Sequence, residues 1–134
     1  MRAIVLLAHS AELDHNGTVH ALGLGWTTTE TPVPQHSLVI FVEVDWAELG
    51  TAFPIRAELV DGDGVRVAQT ERDVIQARRH AVHPEGTAVT IPFIATVPML
   101  KLTEGQRYQW RVLIDDEMHE DWLAGFTVTG KPTG

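Results

Sequence analysis

The chain has 134 residues, of which 44% are hydrophobic, and its 18 acidic and 10 basic side chains give a formal charge of −8. This acidic balance argues against a surface for nucleic acid or for an anionic membrane, because either would repel the protein at long range. Cysteine is absent, which excludes disulfides, zinc ribbons and thiol nucleophiles. The length predicts a single domain over residues 1–129, followed by a loose tail at 130–134.

The first apolar run extends from Ala3 to Ala8. It is too short for the core of a signal peptide and is followed by acidic residues. Elsewhere in the sequence, apolar stretches fall short of membrane-spanning length. We therefore expect a cytoplasmic protein without a membrane partner.

The first half of the chain predicts short strands separated by turns. Ala3–Ala8 is apolar on both faces, which favours a strand inside a sheet or at an interface. Asn16-Gly17 is typical of a hairpin turn, and Thr18–Trp26 is the predicted returning strand. Glycines 23 and 25 share one face of that strand. They indicate a bulge there, or the close approach of another backbone or a large ring.

The middle of the chain continues this pattern. Ser37–Trp46 is the most hydrophobic segment and predicts a central strand. The turn Asp61–Gly64 follows Ile55–Val60 and predicts a second hairpin. Residues 74–82 favour a strand over a helix. Thr87–Val97 contains Pro92, and since proline donates no backbone hydrogen bond, we expect an edge strand or a bulge there.

The last hairpin extends from Gly105 to Thr129. Its first strand places four large apolar side chains on one face, and its second strand repeats the pattern: Tyr108, Trp110, Val112 and Ile114, then Trp122, Ala124, Phe126 and Val128. An acidic turn from Asp115 to Asp121 is predicted between them. About eight strands in all indicate an all-β fold, an antiparallel two-sheet β-sandwich of immunoglobulin-like or related topology.

Several short patterns along the chain occur together. They are A-x-x-D-x-x-G-T at Ala11–Thr18, L-G-x-G-W at Leu22–Trp26, D-x-D-G at Asp61–Gly64 and Y-x-W-R-V-x-I-D-x-E at Tyr108–Glu117, after an apolar first strand that ends at Ala8. This set resembles a family of short bacterial proteins known only as a domain of unknown function. The resemblance implies a small cytoplasmic β-sandwich in bacteria, and it carries no reaction and no catalytic residues to transfer.

Two segments could bind a metal ion. His80 and His83 lie three residues apart, so on a strand they would point to opposite faces and could share an ion only from a loop or a helix, with a third ligand. The acidic segment offers Asp115, Asp116, Glu117 and Asp121 as calcium ligands, and the turn with Asp61 and Asp63 could join it. The competing interpretations are a solvated strand edge and a solvated hairpin tip.

Catalytic patterns are weak. Glu43 and Asp45 form a carboxylate pair on one strand face, a common arrangement on solvated faces. The nucleophile-elbow, P-loop and kinase patterns are absent from the sequence. We therefore predict a protein that is not an enzyme and that uses no cofactor.

The chain has more large apolar strand residues than one thin sandwich core requires. Val39, Phe41, Trp26 and Trp46 are the candidates for an interface. The leading hypothesis is a non-enzymatic protein-binding or assembly module that self-associates, most simply as a homodimer. The alternative is a calcium- or small-ligand-binding β-sandwich that uses the acidic 115–121 loop.

Overall fold

A computed structural model describes residues 1–77 and 84–130. The fold is all-β, and this part of the chain forms eleven strands and one short 3-10 turn at Trp46–Glu48. The strands are β1 (Arg2–Ala8), β2 (Ser10–Leu13), β3 (Val19–Leu22), β4 (Thr28–Glu30), β5 (His36–Val44), β6 (Ala52–Val60), β7 (Arg66–Gln69), β8 (Asp73–Gln76), β9 (Val89–Val97), β10 (Arg107–Ile114) and β11 (Glu117–Thr129).

The strands form two main sheets. The small sheet has the order β1-β5-β9. The large sheet has the order β4-β11-β10-β6-β7, with β8 also paired to β6, and β2 and β3 form a separate hairpin. One sheet curls into half a barrel. The all-β class is confirmed, whereas the strand count exceeds the expected eight. The pairing of β4 with β11 is parallel, and an immunoglobulin-like topology stays a prediction.

Period-two alternation places the core between the two sheets. On β5, Leu38, Ile40 and Val42 are each at most 1% exposed, and Trp110 and Phe126 of the large sheet are equally buried. Burying a side chain of this size contributes roughly 1.5–3 kcal/mol. β5 is central in the small sheet, as its hydrophobicity predicts.

Two hairpin turns have the same construction. The Asp14 carboxylate accepts the N–H groups of Asn16 and Thr18 at 2.8 and 3.0 Å, and the Asp61 carboxylate accepts those of Asp63 and Val65 at 2.9 and 3.0 Å. Gly17 and Gly64 follow with φ of 76° and 79°, a region that side-chain-bearing residues disfavour. The turns predicted at Asn16-Gly17 and at Asp61–Gly64 are present, and the second joins β6 to β7 as expected. The first joins β3 to β2, a strand within the segment that was expected to be a connection, and not to the apolar strand at Ala3–Ala8, which pairs with β5 instead.

The β2–β3 hairpin lies against β5 and β9, on the outer face of the small sheet, the face away from the large sheet. The returning strand is shorter than predicted and ends at Leu22. The close approaches expected at the two glycines are present. A side chain at Gly23 would overlap the His9 ring, and the Gly25 N–H donates to the Leu7 carbonyl at 2.6 Å.

Candidate functional site

A cleft of about 440 Å³ opens between the C-terminal half of β9 and the chain that joins β7 to β8. Phe93, Ala95 and Val97 line one wall, Ala68 and Thr70 line the other, and Trp110 forms the floor. The cleft therefore lies where the small sheet ends and the large sheet continues.

The cleft exists because β9 has a neighbour on one side. It pairs with β5 and, among the described residues, with no strand on its other edge. Phe93 and Ala95 point inward yet stay partly exposed, while their β5 partners Ile40 and Leu38 are at most 1% exposed. The apolar core thus continues to the surface at this edge. The edge position that Pro92 predicts is confirmed.

The hydrogen-bond pattern of β1 shows which way the β9 backbone faces. In an antiparallel ladder, consecutive residues direct their N–H and C=O groups to opposite neighbours. The Leu7 carbonyl accepts from Gly25, so Leu7 turns away from its β5 partner Leu38. Leu38 therefore directs its backbone groups to β9, where its partner is Ala95.

The residues of β9 that alternate with Ala95 direct their backbone groups to the open edge. Ile94 and Thr96 direct both N–H and C=O outward, whereas Pro92 has no N–H to offer. Val97, like Ala95, directs its backbone groups to β5. The next residue, Pro98, therefore faces the open edge, and its nitrogen carries no hydrogen either. The two prolines bracket a short stretch of edge that can accept another strand. Prolines that interrupt an edge in this way restrict unspecific pairing.

The floor of the cleft is held by a buried polar contact. Trp110 Nε1 donates to His36 Nε2 at 3.2 Å, and an indole N–H is a donor only. His36 therefore carries its proton on Nδ1, which donates to the Pro34 carbonyl at 2.9 Å. Burial lowers the pKa of His36, outweighing the contact with Pro34. The neutral imidazole thus fixes the Trp110 ring in position.

The rim of the cleft carries charges of both signs, with Arg72 between Glu71 and Asp73. Arg72 lies 3.7 Å from Asp116, and Arg56 lies at the same distance from the other carboxylate oxygen. Exposed pairs of this kind contribute at most about 1 kcal/mol each. They nevertheless place two positive charges next to the Asp116 carboxylate.

The acidic segment differs from the loop that the sequence predicts. The turn consists of Asp115 and Asp116, with φ of 54° and 60°, and β11 begins at Glu117. Asp121 lies in an irregular part of β11, because β10 pairs with Leu123 and then with Met118. The predicted loop over 115–121 is therefore wrong.

The possible calcium ligands are also dispersed. Asp115 bonds to Pro54 at the start of β6, whereas the turn with Asp61 follows the opposite end of that strand. In residues 1–77 and 84–130, no group of three or more His, Asp or Glu side chains could hold a metal ion. His80 and His83 lie outside the described residues.

The carboxylate pair on β5 is engaged in ion pairs. Glu43 accepts from Arg2 at 2.7 Å, and Asp45 lies 3.3 Å from the amino group of Met1. Both contacts are at the surface, with the Glu43 and Asp45 side chains 34% and 62% exposed.

The four interface candidates do not share one surface. Val39 is 1% exposed, on the face that the β2–β3 hairpin covers, while Phe41 is half-buried on the same face. Trp26 packs 5.2 Å from both His36 and Phe126, near the start of β5. Trp46 lies in the 3-10 turn after the end of β5.

The sequence analysis did not predict the cleft. Pro92 and Pro98, which lie at equal distances from the small Ala95, could have indicated the strand edge beside it.

Residues 3–123 match the model of a family of unknown function (DUF6941), and the chain belongs to this family. The resemblance to a domain of unknown function is thereby confirmed. Neither the curated proteins nor the solved structures contain a match. Within the described ranges, no helix has the length and apolarity to span a membrane.

Proposed function

We propose that this protein is a non-enzymatic binding module that takes an extended polypeptide segment into the cleft beside β9. The observation that carries the proposal is a strand edge that no strand of residues 1–77 and 84–130 pairs with, next to a partly exposed apolar wall at Phe93 and Ala95. An added strand satisfies both features at once, because its backbone pairs with the edge while alternate side chains enter the cleft.

The backbone groups at the β9 edge determine which kind of segment can bind there. The N–H groups of Ile94 and Thr96 donate to the guest, and their carbonyls accept from it. Guest side chains on the inner face displace water from Phe93 and cover the Trp110 floor. Since main-chain hydrogen bonds supply much of the affinity in such complexes, the guest is short, extended and apolar at alternate positions.

The immunoglobulin-like relationship expected from the sequence has support from one contact. The Thr103 N–H donates to the Tyr108 hydroxyl oxygen at 2.9 Å, five residues back along the chain. A tyrosine at the start of a strand that bonds to the backbone just upstream is typical of immunoglobulin-like sandwiches. A cytoplasmic location, also expected from the sequence, remains part of the proposal.

A selection from phage-displayed random peptides tests the binding function. We expect selected peptides to perturb the NMR signals of the Ile94 and Thr96 amides and to lose binding to a Thr96→Pro variant. Thr90→Pro is the matched control, because Thr90 is an exposed residue of β9 that faces the same edge beyond Pro92. Failure to select any peptide, or equal binding to both variants, would contradict the proposal.

A further inference from the structure

We infer that the guest of the cleft is a basic segment of a partner protein, which carries a lysine or arginine beside its apolar residues and pairs that cation with Asp73. This inference rests on the proposed function, because it names the chemistry of the guest at the same site. It follows from the charges on the wall of the cleft opposite β9.

Asp73 is a carboxylate on the inner face of the large sheet. It pairs with Ile55 of β6, and directly opposed residues of an antiparallel pair place their side chains on the same face. Ile55 is 1% exposed, and Ile75, two residues after Asp73, is also buried. Asp73 is exposed because it lines the cleft. The cleft therefore has an acidic group on a face that is otherwise apolar at these positions.

The acidic groups of this wall have no basic partner within residues 1–77 and 84–130. Neither Glu71 nor Asp73 forms an ion pair there. Among the described residues that line the cleft, Arg72 is the only basic one, and its guanidinium lies 3.7 Å from Asp116. The wall thus presents two carboxylates whose charge a guest can balance.

The other polar side chains of the wall are already hydrogen-bonded. The Thr70 hydroxyl accepts a backbone N–H of β6 at 2.9 Å, and the Gln69 side-chain oxygen accepts from Arg66 at 3.1 Å. Asp73 accepts the Val74 N–H through Oδ1 at 2.7 Å, so its Oδ2 has no donor in the described part of the chain. A lysine or arginine supplies both the donor and the opposite charge.

An extended guest can satisfy the apolar wall and the carboxylate together. Side chains on one face of a strand repeat about every 6.6 Å, so one segment can place an apolar residue on Phe93 and a basic residue near Asp73. The stem of lysine or arginine packs on apolar surface while its charged end stays near water. The charge of −8 on the chain also attracts a basic guest and speeds its association.

An inward-pointing charge at a strand edge can instead protect that edge from pairing. The two roles of Asp73 have opposite consequences. If Asp73 only protects the edge, Asp73→Asn strengthens the binding of every peptide. If it recognises a cation, Asp73→Asn weakens the binding of basic peptides and leaves that of neutral peptides unchanged.

Isothermal titration calorimetry of the full-length chain distinguishes these roles. The probes are a basic peptide from the phage selection and a derivative with glutamine at each lysine and arginine. We expect Asp73→Asn to weaken binding of the basic peptide about three- to tenfold and not to affect the derivative. Asp63→Asn is the matched control, because Asp63 is an exposed carboxylate in the turn before β7. It removes the same charge and should change the affinity by less than about twofold, since a distant charge is screened.

A charge reversal tests the contact in the opposite direction. Asp73→Lys should bind the basic peptide more weakly still and should recover affinity for a derivative with glutamate in place of its lysine and arginine. Circular dichroism of each variant establishes that it is folded. Failure of the reversed pair to recover affinity would overturn the assignment of Asp73.

The remaining outcomes separate this inference from the proposed function. Selected peptides that lack lysine and arginine, or unchanged binding of basic peptides to Asp73→Asn, would overturn the inference and leave the binding function standing. A chain that binds no peptide would contradict both. A dimer in sedimentation velocity that Thr96→Pro dissociates would identify a second copy as the occupant and would also overturn the inference.

Discussion

Trp110 and His36 join the two sheets through a hydrogen bond of 3.2 Å in the core of the molecule. His36 begins β5 of the small sheet, and Trp110 lies in the middle of β10 of the large sheet. The bond requires an imidazole that is neutral at Nε2. The floor of the cleft is thereby coupled to the protonation state of a histidine that is 1% exposed.

The first prediction concerns the pH dependence of stability. Burial lowers the pKa of His36 below the ordinary value of 6.5, so the unfolded chain binds a proton more readily than the folded chain. The free energy of unfolding is therefore highest above pH 6.5 and decreases as the pH falls from there towards the lowered pKa. Thermal melts across this range should show the decrease. A His36→Gln variant should be less stable at neutral pH but should lose this part of the pH dependence; an identical profile would contradict the assignment.

The second prediction concerns the energetic coupling of the same pair. Trp110→Phe removes the donor and leaves the buried Nε2 of His36 unpaired, which costs about 1–3 kcal/mol for the polar group alone. The double variant with His36→Phe should lose less than the sum of the two single losses, because it leaves no unpaired polar atom. Urea unfolding of all four proteins in the cycle measures the difference. Strict additivity would show that the bond contributes nothing.

The third prediction concerns the effect of backbone strain on stability, compared at two glycines of the Asp61–Gly64 turn. Gly64 has φ of 79°, and Gly62 lies outside this left-handed region; neither position would bring an added Cβ within 4 Å of another atom. Gly64→Ala should therefore destabilise the protein by about 1 kcal/mol through backbone strain alone. Gly62→Ala should be neutral or slightly stabilising, because alanine restricts the unfolded chain. Equal effects on the melting temperature would contradict this explanation of the turn.

The fourth prediction concerns calcium. Asp116 lies near Arg56 and Arg72, and Asp121 lies in a strand, so the acidic segment lacks the oxygen cage that calcium requires. We expect the same melting temperature in excess calcium and in chelator. A rise in calcium that Asp116→Asn abolishes would restore the ligand-binding alternative.

Much of the fold could be predicted from local pattern. The alternation in β5 and β10 assigns their inner faces, because successive strand side chains point to opposite sides. Asp14 with Gly17, and Asp61 with Gly64, specify their hairpins by bonding to the turn backbone and by allowing positive φ. Pro92 identifies an edge, since proline has no N–H to donate to a strand on the side that it faces. These features depend on a few consecutive residues, and for that reason they can be predicted from the sequence.

The cleft and the buried position of Val39 depended on contacts between distant segments. Phe93 has the same local pattern as Ile40, and it stays partly exposed because, in the part of the chain that the structure describes, no strand pairs with the other edge of β9. Val39 is buried because a hairpin packs on the outer face of that sheet. The acidic segment became a strand through the pairing of Met118 with Leu113. The sequence by itself determined the strand faces and the turns, whereas the tertiary structure decided which apolar faces are covered, because burial depends on neighbours that are remote along the chain.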